Sequence, residues 1–251
     1  MSKLPKLGPV VAIDGPAGTG KSSTTKRLAE ALGFVHVDTG ALYRAIGYTC
    51  IDQGVFSLED LKLGKPLPEH EASEIARSTH LEFRRNPKRN PANRILANGV
   101  DITDRIRTPE MSMAASRVSA LPGVRAALLG LQRRLGCTGR TILEGRDIGT
   151  VIFPDADVKF FLTADSSERA KRRLAELEAS GADTPSFEEI KKQIAERDDA
   201  DSRRAVAPLK KSADAIELDT TQFTLDQVVE KMIKLIKEKL TAEILGETDN
   251  P

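Results

Sequence analysis

The chain has no tryptophan, only two tyrosines, and only two cysteines in its 251 residues. Cys50 and Cys137 lie far apart and in no metal-ligand or redox spacing, so they read as buried free thiols. An excess of one charge is also missing. Lys and Arg number 38 against 37 for Asp and Glu, a formal net charge of +1, so no overall electrostatic pull toward nucleic acid or an anionic membrane is expected. No apolar run approaches the roughly 18 residues of a membrane span. Residues 1–9 carry lysines but no hydrophobic stretch, so no secretory signal is expected and the cytoplasm is the default location. Internal repeats and low-complexity segments are absent. What remains is 39% hydrophobic and 30% charged, the make-up of a soluble globular protein. The length suits one α/β domain with a smaller inserted piece.

The stretch Val10-Val11-Ala12-Ile13-Asp14 reads as a buried strand, followed by a glycine-rich turn and a helix opening near Lys21. Gly15, Gly20, Lys21 and Ser22 fill the pattern G-x-x-x-x-G-K-[ST], a phosphate-binding loop. Glycines let the backbone wrap a phosphate with its N–H groups inward, and the helix N-terminus adds its positive end. Lys21 is placed to reach the β- and γ-phosphates, and the Ser22 hydroxyl can ligate Mg²⁺. The motif implies a nucleoside triphosphate.

Further along, Leu28 and Leu32 face one way on the first helix, and Gly33 reads as its stop. Phe34 to Val37 reads as a short strand. Its His36 reads as a packed or edge histidine rather than a ligand. Asp38-Thr39-Gly40 falls at that strand's C-terminal end, where open α/β sheets bind ligands, and Arg44 follows one turn into a helix opening at Ala41. From Ser57 to Arg107 the character changes. Glu69 to Thr79 reads as a helix, and Asn98-Gly99 between alternating runs predicts a hairpin. Arg84, Arg85, Lys88, Arg89 and Arg94 cluster around Pro87 and Pro91. With no aromatic platform beyond Phe83, they read as a solvated loop rather than an RNA surface.

Thr108-Pro109 opens a helix carrying Ser116, and a second helix runs from Arg125 to Leu135. Thr141 to Gly145 is a strand that delivers Arg146 and Asp147 to its exit, and Asp157 to Leu162 is another. Ser166 to Ser180 and Ser186 to Asp199 read as two basic helices around Ser180-Gly181, able to close as a lid. Arg169, Arg172 and Arg173 share one face of the first. Ala215 to Asp219 is the last strand. Thr224 and Gln227 form a capping box before a helix striped by Leu225, Val228, Met232 and Ile236.

Five strands alternating with helices predict a doubly wound parallel sheet. One phosphate-binding loop needs one lysine and a helix end. Arg44, Arg146, Arg197 and Arg204 therefore suggest a second anionic ligand facing the first, and the combination fits a small-molecule kinase. A kinase for AMP, UMP or a shikimate-like acceptor, a nucleotide-switch module and an RNA-binding protein are the rival readings.

Four blocks carry a closer likeness: Gly15 to Ser22; Asp38-Thr39-Gly40-Ala41-Leu42-Tyr43-Arg44; Glu144-Gly145-Arg146-Asp147-Ile148-Gly149-Thr150-Val151-Ile152-Phe153-Pro154-Asp155-Ala156; and Arg204-Ala205-Val206-Ala207-Pro208-Leu209. The chain resembles the bacterial cytidylate kinases from about residue 9 to 240. The resemblance implies a P-loop kinase core over 1–56 and 108–251, with a lid over about 165–200 and an inserted monophosphate-binding subdomain over 57–107. It implies ATP and CMP or dCMP as substrates, Mg²⁺ as cofactor, no nucleic-acid or membrane partner, and action as a monomer. ATP would be held by Gly15, Pro16, Ala17, Gly18, Thr19, Gly20, Lys21, Ser22 and Ser23. Thr39, Arg44, Ser116, Arg125, Arg146, Asp147, Arg197, Asp201 and Arg204 would hold CMP. Among these, Arg44, Arg146 and Arg204 match the family's phosphate clamps. Ser116, Arg125 and Asp147 match the cytosine readers, and Arg197 and Asp201 the ribose side. Lys21, Arg146, Arg169, Arg172 and Arg173 are the implied charge stabilisers. Thr39 stands where many relatives have serine. Ser22 stands where some have glycine, and is the residue expected to meet Mg²⁺, directly or through water. The acceptor phosphate is already anionic, so no general base is called for.

Overall fold

A computed structural model describes residues 6–85, 93–180 and 184–240. In chain order the elements are β1 (Val10–Asp14), α1 (Lys21–Leu32), β2 (Val35–Asp38), α2 (Thr39–Asp52), α3 (Leu58–Lys62), α4 (Glu69–Ser78), β3 (Leu81–Arg85), β4 (Asn93–Ala97) and β5 (Val100–Asp101). Then come α5 (Pro109–Val118), α6 (Pro122–Gly136), β6 (Thr141–Glu144), a π-helical turn at Ile148–Ile152, β7 (Val158–Thr163), α7 (Ser166–Ser180), α8 (Phe187–Arg203), β8 (Ile216–Asp219) and α9 (Leu225–Lys239). They form two compact units, 1–38 with 133–251, and 39–132.

The first unit is a five-stranded sheet in the order β2-β6-β1-β7-β8, every pair parallel. This is the predicted mixed α/β architecture. β1 lies at the centre and all five of its residues are buried, which is why it reads as a continuous apolar run rather than an alternating one. On one face Val11, Ile13, Ile142, Val158, Phe160, Leu162 and Leu218 pack with Leu28 and Ala29 of α1 and Val228, Met232 and Ile236 of α9. The α9 stripe is core, as its spacing predicts, and the Thr224–Gln227 capping box starts that helix. Gly33 closes α1 in the left-handed conformation.

Three helix boundaries differ from the sequence expectation by two residues or more, one being the start of α6 at Pro122 rather than Arg125. Helix α2 opens at Thr39 rather than Ala41. Helix α8 continues past Asp199 to Arg203. Nothing between Asp199 and Arg203 breaks a helix, and an Asp199–Arg203 ion pair of 2.8 Å, four residues apart, spans the final turn. The extension puts Arg197 and Asp201 one turn apart on one helical face, with Arg204 as the C-cap. The π-helical turn after Asp147 carries no signal in the local sequence. Asp14 holds it by accepting from the backbone N–H groups of Ile148 at 2.8 Å and Gly149 at 2.7 Å.

The second unit contains α2 to α5 and a three-stranded sheet, β3-β4-β5, with antiparallel pairs. The expected insertion, residues 57–107, lies wholly within it. Asn98 and Gly99 take φ of 50° and 80°, the pair of left-handed residues a tight hairpin needs. Helices α2 and α5 pack through small residues. A Cβ on Gly47 would come 2.8 Å from the Cβ of Ala114, so glycine there is what permits the approach. Cys50 on α2 is buried, whereas Cys137 is half-buried, a departure from its expected burial. No helix among the described residues is long and apolar enough to cross a membrane.

Candidate functional site

The phosphate-binding loop runs from the end of β1 to the start of α1. Gly15 has a φ of 143°, and a Cβ there would sit 2.1 Å from the Leu162 carbonyl oxygen of β7. No other residue fits where the loop leaves the sheet. Lys21 is buried. Its ammonium donates to the Pro16 carbonyl oxygen and lies 3.3 Å from the Thr19 hydroxyl. Burial pushes the Lys21 pKa well down. Arg146 and Arg197 push the same way, against Glu144 and Asp14. That arrangement concentrates positive charge where anionic oxygens would lie, since an anion would relieve the repulsion. Beneath the loop, burial raises the Asp14 carboxyl to about 6 despite its two backbone hydrogen bonds.

The three arginines of α7 expected on one face meet different partners. Arg169 donates to the Ala17 carbonyl oxygen of the loop at 3.1 Å and pairs with Asp198 of α8. Arg172 donates to the Thr220 carbonyl oxygen at 2.7 Å and to the Thr220 hydroxyl at 3.0 Å. That hydroxyl in turn donates to the Thr19 carbonyl oxygen. Arg173, expected on the same face, instead pairs with Glu176 on its own helix at 3.1 Å. The expected turn residue Gly181 lies outside the described residues.

At the exit of β6, beside β1, two arginines and two carboxylates meet. Arg146 Nε donates to Asp201 Oδ2 at 3.0 Å. Arg204 lies 3.5 Å from Asp147 Oδ1 and 3.9 Å from Asp201 Oδ1. All but Arg146, which is half-buried, are at most 6% exposed as side chains. Arg204 Nε also donates to the Ala207 carbonyl oxygen, and Ala207 holds a φ of 51°, costly for a residue with a Cβ. Four of the sequence candidates are thus brought into one buried, charge-balanced cluster, with Arg197 near enough to depress Lys21.

Within the second unit, Arg125 of α6 is buried. Its guanidinium donates to the Ser119 carbonyl oxygen at 3.2 Å and lies 5.5 Å from the centre of the Tyr43 ring. Ser116 accepts from the Ser119 hydroxyl through its carbonyl oxygen at 2.9 Å. Thr39 is buried in the first turn of α2, and Arg44 is half-buried one turn on. Of the basic cluster in this unit, Arg84 pairs with Glu82, and Arg94 with Asp101 and Asp104. Their charge is already matched by local carboxylates. Lys88 and Arg89, with Pro87 and Pro91, fall outside the described residues.

A family model described as "Cytidylate kinase" matches residues 11–238. The chain belongs to the cytidylate kinase family. A cytidylate kinase of Geobacter sp. (strain M21) is 45% identical, over 96% of this chain and 97% of that one. One from Geobacter sulfurreducens is 44% identical, over 95% and 97%. A bifunctional pantoate ligase/cytidylate kinase of Prochlorococcus marinus is 43% identical over 96% of this chain, which spans 44% of that protein. As a member of the family the chain is a CMP kinase, and its substrates are nucleotides.

Three side chains in the site of this kinase escaped the sequence reading. Ser22 Oγ donates to Glu144 Oε2 at 2.7 Å, and the other oxygen of Glu144, Oε1, lies 2.8 Å from His36 Nε2. In the sequence Glu144 stands only within the strand Thr141 to Gly145 and at the head of a family-like block. The available signal was an apolar strand ending in a carboxylate at the sheet's ligand-binding edge. Asp14 is the third. The donor set suits magnesium: a hydroxyl and a carboxylate are hard oxygen ligands, and Mg²⁺ takes one or two protein groups alongside phosphate oxygens rather than a full cage. Among the described residues no group of three or more His, Cys, Asp or Glu could hold a metal on its own.

Proposed function

We propose that the chain transfers the γ-phosphoryl group of ATP to CMP and to dCMP, giving ADP and the corresponding diphosphate. The observation that carries this reading is the buried Arg146–Asp201 and Arg204–Asp147 cluster beside the phosphate-binding loop. A loop alone would serve any nucleotide hydrolase. Two further guanidiniums at its edge argue for a second phosphate as acceptor. Carboxylates hold them in place until that phosphate arrives, so little reorganisation accompanies binding.

In this reading the loop from Gly15 to Ser23 cradles the β- and γ-phosphates, and Lys21 follows the transferring group. Arg169 and Arg172, anchored against the loop and Thr220, bring guanidinium charge to its oxygens. Arg173 keeps a lesser part as a surface residue. Bound Mg²⁺, at Ser22, would neutralise phosphate charge and align the oxygens. Arg146 and Arg204 grip the acceptor phosphate, the part that the family likeness also gives to Arg44. Arg197 and Asp201 serve its ribose. Asp147 accepts from the cytosine amine, Ser116 and Arg125 serve the ring nitrogen and carbonyl, and Thr39, five residues before Arg44, is a further CMP contact. A buried acceptor aimed at an amine is left unpaired by uracil's carbonyl, which is the basis for rejecting UMP.

The test is ADP release from ATP with each nucleoside monophosphate as acceptor, with and without Mg²⁺. Fastest turnover is expected with CMP and dCMP. Fastest turnover with UMP or AMP would overturn the assignment, and ATP hydrolysis indifferent to CMP would favour a nucleotide switch.

A further inference from the structure

We propose that His36 is a positioning residue for the magnesium–nucleotide site, acting through Glu144 on the Ser22 hydroxyl. The inference rests on the magnesium reading above and adds to it a residue from the edge of the sheet. His36 and Glu144 stand on neighbouring parallel strands, with His36 in register with Ile142 and Asp38 with Glu144. Side chains of i and i+2 share a face, so His36, Ile142 and Glu144 point the same way. Ile142 packs in the cluster with Leu28 and Ala29 of α1, so this is the face on which α1 lies. The first turn of α1 brings Ser22 down onto the strand end.

The geometry then forms a relay. A carboxylate only accepts hydrogen bonds, so the imidazole nitrogen facing Glu144 carries the hydrogen. Its Nε2 holds Oε1 at 2.8 Å, and the opposite oxygen, Oε2, is left facing the Ser22 hydroxyl at 2.7 Å. A serine hydroxyl that lends its lone pair to a cation must still place its proton, and Oε2 is the acceptor for it. Glu144 is 5% exposed and His36 15% exposed as side chains, so water competes weakly for either bond. Without the imidazole, Glu144 could rotate about its side-chain bonds, and the Ser22 lone pairs would lose their fixed direction. Partners of this outer kind are worth roughly 10- to 100-fold in metal affinity.

The alternative is that the pair merely ties β2 to β6. The experiment separates the two. The affinity of the full chain for the imido analogue of ATP is measured by calorimetry with Mg²⁺ and again in EDTA. The ratio of the two is the magnesium gain. His36→Leu is expected to cut that gain about tenfold, with affinity in EDTA, KM for CMP and the melting temperature unchanged. His36→Gln, whose amide nitrogen can stand in for Nε2, restores the gain. His36→Asn, too short to reach Oε1, shows the same loss as His36→Leu and serves if the leucine variant does not fold. A wild-type gain retained in both His36→Leu and His36→Asn overturns the proposal, as does an equal loss with and without Mg²⁺. A wild-type protein with no magnesium gain overturns the magnesium reading and this one together.

Discussion

The two units hold their candidate side chains in different surroundings. In the first, buried and half-buried guanidiniums and carboxylates brace one another: Arg146 and Asp147, just past β6, with Asp201 and Arg204 at the end of α8, and Arg169 of α7 with Asp198 of α8. In the second, the buried Arg125 has a backbone carbonyl and an aromatic ring for company, and the helices that carry the candidates are brought close by Gly47 against Ala114. Ion pairs mark the first set, and a close approach of small residues marks the helices that carry the second. The difference suits the tasks proposed above, in which most phosphate contacts fall to the first unit and Ser116 and Arg125 of the second help Asp147 to read the base. Several phosphate charges call for many cations, which must be kept apart from one another before substrate binds. A single base calls for a few polar groups on a rigid backbone.

Four changes break or sharpen that contrast, from the largest effect to the smallest. Arg146→Ala should lower turnover roughly 10²- to 10³-fold with circular dichroism and melting close to the parent. Near-normal turnover would remove the cluster from the acceptor site. Asp14 offers a pH test of the first unit alone. Its carboxyl stands at about 6 in the fold against an ordinary 3.8, so the folded chain binds that proton more tightly than the unfolded chain. The stability this group contributes is therefore fully present below its unfolded value and is lost as pH rises through its folded one. The loss amounts to as much as about 3 kcal/mol. Denaturation midpoints for the parent minus those for Asp14→Asn should show that fall, and a flat difference would contradict the raised value.

In the second unit the sensitive point is steric. Gly47→Ala pushes two methyl groups together and should cost about 1–3 kcal/mol, read as a melting point lower by a few degrees, with the affinity for ATP unaltered. A melting point equal to the parent's would deny the close helix contact. The smallest effect is on choice of base. Asp147→Asn should shrink the preference for CMP over UMP about tenfold, since an amide can present either a donor or an acceptor. An unchanged ratio of kcat/KM values would take Asp147 out of base reading.

Features legible in the sequence share one property: their causes are local. The phosphate loop, the Asn98-Gly99 turn, the Gly33 stop and the Thr224–Gln227 cap each lie within a few residues, and each was found where expected. The five strands follow from short runs of β-branched residues and their order. Contacts between distant residues were not legible. Ser22 and Glu144 are 122 residues apart and His36 and Glu144 108 apart, so neither pair has a spacing to recognise. Arg173 shows the converse. Its helical spacing groups it with Arg169 and Arg172, yet an acidic neighbour three residues on claims it at the surface. Helix α8 runs four residues past its expected end at Asp199, and the Asp199–Arg203 pair that spans its last turn is a side-chain contact only the fold displays.

By itself the sequence determined the fold class, the phosphate-binding loop and the roster of arginines, because strand patterns, turn glycines and helix caps act over a handful of residues. Only the tertiary structure decided which carboxylate each arginine meets and which acid the Ser22 hydroxyl serves. Those choices depend on the strand order β2-β6-β1, which sets side by side residues that the chain itself keeps far apart.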